Sequence, residues 1–150
     1  MPAHGIELKR TLRAPRERVF AAWTRPELLA RWLFPGQGWV ANVESELVVG
    51  GRWSVHMREP SGALHHQFGV YREIEPVARL VFTWTCPPLG VTDSVVTVEL
   101  TEHGSQTELV LSHVLPADPK VRQGHEEGWT GCLANLQTLV EGETDAVDQG

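Results

Sequence analysis

Residues 118–142 read DPKVRQGHEEGWTGCLANLQTLVEG, and this stretch decides the fold prediction. Asp118 is a favourable N-cap residue, and the proline that follows it suits the first helical position. At about 100° per residue, the large apolar side chains and one histidine fall within one third of the helix circumference. This stripe consists of Val121, His125, Trp129, Cys132, Leu133, Leu136, Leu139 and Val140. The sequence therefore predicts one long helix, ending near Gly142, that buries the stripe against another element.

The region before this helix has the texture of an antiparallel sheet. Short runs rich in Val, Thr, Trp and Phe are separated by Gly, Pro and Ser residues that favour turns. These breaks place six strands near 39–48, 52–59, 64–75, 79–86, 92–102 and 107–115. Because the connections are too short for parallel crossovers, we expect an antiparallel meander. Alternation puts Phe82 and Trp84 on one strand face, and Trp53 on one face of another strand, but it leaves open which face points inward.

The N-terminal region completes the predicted fold. Residues 6–12 alternate between apolar and polar side chains, which predicts a first strand. Pro15 and Pro26 each open a short amphipathic segment, so two short helices are predicted before the meander. The predicted class is α+β, with a curved antiparallel sheet of about seven strands around a long C-terminal helix. We expect a single domain over residues 1–150, with a core at about 6–141 and a frayed tail at 143–150.

Composition excludes several classes of protein. Hydrophobic residues make up 41% of the chain and charged residues 21%, which is typical of globular domains rather than disordered chains. The formal net charge is −6 and the acidic residues are scattered, so we expect no nucleic-acid partner. The absence of a long apolar run and of a signal sequence predicts a cytoplasmic protein with no membrane partner. Cys86 and Cys132 show no disulfide or zinc spacing and are expected to be reduced and buried.

The long helix also carries the candidate binding residues. His125 lies at the centre of the stripe and is flanked by Gly124, Gly128 and Gly131. Each glycine costs a helix about 1 kcal/mol relative to alanine, so the three need a reason. The two candidates are close approach of the sheet and room for a bound molecule. His125 is then either a polar contact in a cavity or a buried histidine satisfied by a backbone carbonyl or water.

The predicted ligand-binding residues come from both sides of this cavity. Together they are His125, Trp129, Gly128, Cys132, Trp53, Phe82 and Trp84. No nucleophile elbow, zinc-protease motif, dinucleotide fingerprint or P-loop occurs in the chain. His56 with His65 and His66 is a candidate metal group, but adjacent strand residues point to opposite faces, so at most one of the pair joins His56. We therefore predict no catalytic residue, no metal site and no cofactor.

The element order and six local motifs resemble a known family. The order of strand, two short helices, six-strand meander and long helix resembles the helix-grip fold of the START-like (SRPBCC) superfamily. The motifs are APRERVFAAWT (14–24), WLFPG (32–36), GGRW (50–53), GVYREI (69–74), RLVFTW (79–84) and GWTGCL (128–133). They resemble the heat-shock protein 90 ATPase-activator homology family, and the resemblance covers about residues 6–141. It implies the fold more narrowly than the function, because this fold hosts ligand carriers, polyketide cyclases, hydrolases and chaperone regulators.

Three functional hypotheses follow. The leading one is a binding protein that holds a hydrophobic or aromatic small molecule in a cavity between the sheet and the C-terminal helix. The second is an enzyme of the cyclase or hydrolase type that moves a proton in the same cavity, through His125 or a nearby acid. The third is an interaction module that stimulates a chaperone ATPase, with the chaperone as partner. The sequence leaves catalysis open, favours its absence, and is compatible with a monomer or a homodimer.

Overall fold

Seven strands and three α-helices follow one another in the predicted order along residues 5–116 and 118–149, the part of the chain that the computed structural model describes. The strands are β1 (Gly5–Leu12), β2 (Val40–Ser45), β3 (Arg52–Arg58), β4 (Leu64–Glu75), β5 (Arg79–Cys86), β6 (Val91–His103) and β7 (Gln106–Val114). The helices are α1 (Arg16–Thr24), α2 (Pro26–Leu29) and α3 (Pro119–Gln149), and a 3-10 turn (Pro87–Leu89) joins β5 to β6. The sheet order is β1-β7-β6-β5-β4-β3-β2, with antiparallel neighbours throughout. The predicted α+β class and topology are confirmed.

Strand β2 is shorter than its predicted span of 39–48, because a tight turn begins directly after Ser45. Val48 N donates to Glu46 O, and Gly51 N donates to Val48 O, both at 2.8 Å. A Cβ on Gly51 would lie 2.2 Å from Glu46 O, so only glycine fits this turn. The strand was predicted to continue because apolar residues follow Ser45 in the sequence. In the structure, the pair Gly50 and Gly51 closes this segment into a turn.

Helix α3 is longer than predicted. The sequence places its end at Gly142, but the helical backbone continues to Gln149. A lone glycine weakens a helix by about 1 kcal/mol without ending it, and no proline follows Gly142 to remove a backbone donor. The expected fraying concerns the tail at 143–150, which lies outside the residues whose side chains the structure describes, and it stays a prediction.

The core lies between α3 and one face of the sheet, called the inner face here. Every member of the predicted stripe is buried except Val121, which is half-buried. The inner face is the one that carries Trp53 on β3 and both Phe82 and Trp84 on β5, which settles the orientation that alternation left open. Leu136 of α3 is completely inaccessible to solvent, so this contact excludes water.

Helices α1 and α2 close one end of this core. Trp23 of α1 meets Trp32, just after α2, edge to face, with ring centroids 4.6 Å apart. The Trp32 Nε1–H donates to Ala22 O at 2.8 Å, which satisfies a polar atom in a fully buried side chain.

Cys86 and Cys132 are both free and buried, as predicted. Among the described helices, none combines the length and apolar character that crossing a membrane requires.

Candidate ligand-binding cavity

A cavity of about 200 Å³ lies between α3 and the inner face of the sheet. From α3 it is lined by Gly124, His125, Gly128, Trp129 and Cys132. From the sheet it is lined by Met57, His65, Gln67, Trp84 and Cys86. The connecting segments add Leu33, Pro35, Trp39 and Leu89. The walls are mainly apolar, with a few polar groups, which is the composition expected of a small-molecule site.

The structure brings together five of the seven predicted ligand-binding residues. His125, Gly128, Trp129 and Cys132 of α3 line the cavity together with Trp84 of β5. The other two predicted residues, Trp53 and Phe82, line a neighbouring apolar pocket of only about 20 Å³. Leu33, Trp84 and Trp129 line both spaces and therefore form the wall that separates them.

The three helix glycines serve different purposes. A Cβ on Gly131 would lie 2.1 Å from Pro35 O, so this glycine permits close approach of the segment after α2, rather than of the sheet as predicted. A Cβ on Gly128 would meet no atom of the described residues within 4 Å, and Gly128 lines the cavity. A Cβ on Gly124 would make only ordinary contact with Leu89 Cδ1, at 3.9 Å. Close approach of a neighbouring segment thus explains Gly131, whereas room for a bound molecule at Gly128 stays a prediction.

Both ring nitrogens of His125 are engaged in hydrogen bonds. Trp84 Nε1–H donates to His125 Nε2 at 3.2 Å, and His125 Nδ1 lies 2.9 Å from Val121 O. Because an indole nitrogen can only donate, Nε2 is the acceptor, and the ring is neutral with its proton on Nδ1. Burial lowers the pKa of His125, although the hydrogen bond to Val121 opposes this shift. His125 is thus both a cavity-lining residue and a buried histidine satisfied by a backbone carbonyl.

A second buried histidine, His113 of β7, supports the other tryptophan. Trp129 Nε1–H donates to His113 Nδ1 at 3.0 Å, and His113 Nε2 contacts Ser94 Oγ at 2.8 Å. The Ser94 hydroxyl donates onward to Trp84 O at 2.7 Å, so the neutral His113 ring carries its proton on Nε2. Burial and then the neighbouring His125 lower the pKa of His113 from 6.5 to about 3. We call Trp84, Trp129, His113 and His125 the Trp–His cluster.

The alternating pattern of β7 includes His113, which was not among the predicted site residues. Positions 107, 109, 111 and 113 alternate along β7, and all four side chains are completely buried. His113 therefore continues an inward-facing apolar row. Its ring lies 5.2 Å from that of His125 and nearly perpendicular to it.

The sheet side supplies two further polar groups, Gln67 and His65, that were not among the predicted ligand-binding residues. Gln67 is 6% exposed, and its Nε2 donates to Cys86 Sγ at 3.3 Å. Its Oε1 is buried and has no hydrogen-bond partner within the described part of the chain. His65 Nε2 lies 2.7 Å from Glu59 Oε2, and its ring lies 5.3 Å from that of Trp39. Register explains both positions, because residues opposite the inward Val55 and Met57 of β3 must also face inward.

The cavity contains few groups suited to bond-making chemistry. Burial raises the pKa of the Cys132 thiol to about 12, so the nucleophilic thiolate is scarce at neutral pH. His56 stacks on His66 at 4.0 Å while His65 lies on the inner face, so only one member of the pair joins His56, as alternation predicts. Within the described residues, no three His, Cys, Asp or Glu side chains are grouped to hold a metal ion.

Comparison with known proteins agrees with this architecture. Residues 13–141 match the family model described as Activator of Hsp90 ATPase homolog 1-like protein. The chain belongs to this family. The activator-homolog fold is shared with CV1439 from Chromobacterium violaceum, which is 31% identical, with a TM-score of 0.82 over 92% of this chain and 97% of that protein. NE0264 from Nitrosomonas europaea is 26% identical, with a TM-score of 0.81 over 97% and 99% of the two chains. No curated protein matches this sequence.

Proposed function

We propose that this activator-homolog domain binds a small apolar or aromatic molecule in the cavity between α3 and the sheet. The observation that carries the proposal is the open space at Gly128, a glycine in a helix interior beside a cavity of about 200 Å³. An alanine there would stabilise the helix by about 1 kcal/mol and meets no obstacle. A ligand that needs this space accounts for the glycine.

The cavity volume limits the size of the ligand. A cavity of roughly 150 Å³ lined by apolar side chains accommodates benzene, so about 200 Å³ suits a molecule of one or two rings. Burying an aromatic group removes about 150–250 Å² from water, which at ~25 cal/mol/Å² stabilises the complex by about 4–6 kcal/mol. Because association itself costs free energy, we expect dissociation constants between micromolar and millimolar.

The same contacts support binding over catalysis. Both ring nitrogens of His125 already have partners, so neither is free to take a proton from a ligand. The Cys132 thiol is held protonated by its burial. A cyclase or hydrolase would need one of these groups, or an acid near them, to be released from its present environment.

A thermal-shift screen with matched variants tests the proposal. Wild-type protein is screened against a panel of one- and two-ring apolar and aromatic compounds. A compound at about 100 times its dissociation constant adds ~2.7 kcal/mol, which raises Tm by roughly 5–10 °C for a domain of this size. Gly128→Leu fills the cavity and should abolish the shift. Gly142→Leu, in the same helix but outside this cavity, should keep it.

Two results would contradict binding in this cavity. Equal shifts in wild type and Gly128→Leu would place the ligand elsewhere. The absence of any Tm shift of the wild-type protein across a chemically diverse panel would favour the interaction-module hypothesis. That hypothesis predicts faster ATP hydrolysis by a purified chaperone in the presence of this protein.

A further inference from the structure

The Trp–His cluster fixes the orientation of two indole rings in the cavity wall. The indole of Trp84 is tied at Nε1 to His125, and that of Trp129 is tied at Nε1 to His113. Neither indole can turn away without leaving a buried N–H unpaired, which carries a large desolvation penalty. The two ring centroids lie 5.1 Å apart with an angle of 46° between the planes. The shape of this wall is therefore set before any ligand arrives.

Two more rings, those of Trp39 and His65, belong to the cavity lining. Trp39 and His65 contact each other with centroids 5.3 Å apart, and both line the cavity with Trp84, Trp129 and His125. Flexible side chains such as methionine adapt to apolar ligands of many shapes, and Met57 is the one methionine in this lining. Rings held in fixed positions instead favour a partner whose flat faces and edges match them, since no reorganisation is then needed.

We propose that the cavity selects a planar aromatic ring over the saturated ring of the same skeleton. This specificity rests on the proposed function and names the chemical class of its ligand. Each well-placed aromatic pair contributes roughly two- to tenfold in affinity beyond the effect of buried area. With contacts to both Trp84 and Trp129, we expect an aromatic preference of at least about fivefold. His113 and His125 are the positioning residues that maintain this preference.

Benzyl alcohol and cyclohexylmethanol provide a matched pair of probes. They share one hydroxyl group and the same number of heavy atoms, and they differ only in the saturation of the ring. The saturated alcohol is the more hydrophobic, so an apolar cavity without aromatic selectivity binds it more tightly. Titration calorimetry on the wild-type protein should instead give tighter binding of benzyl alcohol, because the gain of at least about fivefold from the aromatic contacts outweighs the greater hydrophobicity of the saturated ring.

Two tryptophan variants separate wall orientation from general stability. Trp129→Phe keeps an aromatic ring but removes the donor to His113, so the ratio of the two affinities should fall towards one. Trp32→Phe removes a comparable buried indole hydrogen bond, to Ala22 O, outside the cavity and should keep the wild-type ratio. A loss of folding stability alone would lower both affinities and leave the ratio unchanged.

The outcomes distinguish this inference from the proposed function. Equal affinities in the wild type, or tighter binding of cyclohexylmethanol, would overturn the aromatic selectivity while leaving the binding function intact. If neither alcohol binds and no compound of the panel raises Tm, both the aromatic selectivity and the binding function are overturned. If Trp129→Phe does not fold, the wild-type ratio alone decides the question.

Discussion

Acidification should destabilise the fold well before the carboxylates become protonated, because of His113. Its pKa is about 3 in the folded protein, against an ordinary value of 6.5. Between these two values the unfolded chain binds a proton that the folded chain does not, so stability rises with pH. The contribution of His113 is fully present above about pH 6.5 and is lost as the pH falls towards about 3.

The magnitude follows from the size of the shift. Each pH unit inside this window changes the free energy of unfolding by about 1.4 kcal/mol for one group. Moving from pH 6.5 to about 5 should therefore cost roughly 2 kcal/mol through His113, against a typical total of about 5–15 kcal/mol. His125 acts in the same direction, because its pKa is also lowered by burial.

The two carboxyls with a lowered pKa act below this window. Hydrogen bonds lower the pKa of Glu59, and hydrogen bonds with the charge of Arg13 lower that of Glu141 against the opposing effect of its burial, so both carboxyls lose their contribution only below their ordinary value of 4.5. His66 also has a lowered pKa, from burial and from His56, but its side chain is exposed and contributes little. The buried histidines should therefore dominate between pH 6.5 and about 5.

Urea unfolding at several pH values, followed by circular dichroism, measures this effect. The matched variant is His113→Asn, which removes the titrating ring and keeps an oxygen near the Nδ1 position to accept from Trp129. The wild type should lose about 2 kcal/mol between pH 6.5 and about 5, and the variant should lose clearly less. Parallel pH dependence in the two proteins would refute the assignment of the loss to His113.

Three further predictions test the packing of α3. Gly128→Ala should stabilise the protein by about 1 kcal/mol in denaturant unfolding. Gly131→Ala should destabilise it, because the added Cβ would meet Pro35 O. Equal changes in the free energy of unfolding would contradict the different roles of the two glycines. Leu136→Ala should cost about 2–5 kcal/mol, since that side chain is wholly buried, and a change below about 1 kcal/mol would argue against this core contact. Cys132 should resist alkylation at neutral pH in the native protein and react once the protein is unfolded, and mass spectrometry measures both reactions. Rapid labelling of the native protein would contradict the burial of this thiol.

The fold was predictable because its signals are local. The helical period of α3 identifies its buried stripe from Val121 to Val140 without knowledge of the sheet, and turn residues separate the strands. The errors occur where a glycine has more than one possible role. Gly51 closes a turn that shortens β2. Gly142 was predicted to end α3, but the helix continues past it.

The helical side of the candidate cavity was more predictable than the sheet side, where Trp84 alone was among the predicted residues that line it. Gly128 and Trp129 follow from the period of one element, whereas Gln67 faces inward because of its pairing with Val55 of the neighbouring strand, which the alternation of β4 alone does not reveal. Trp53 and Phe82 were grouped with the cavity residues in the prediction, but they line the neighbouring pocket. Leu33 and the indoles of Trp84 and Trp129 divide the interior into two spaces, and the positions of the indoles depend on the packing of α3 against the sheet.

The central claim is that a small aromatic molecule enters the space between α3 and the sheet. The six tryptophans supply six indole N–H signals in a proton–nitrogen correlation spectrum, and these report directly on that space. Titration with benzyl alcohol should shift the signals of Trp39, Trp84 and Trp129, which line the cavity, and leave that of Trp32 unchanged. Unchanged signals of Trp84 and Trp129 at saturating ligand would contradict the account.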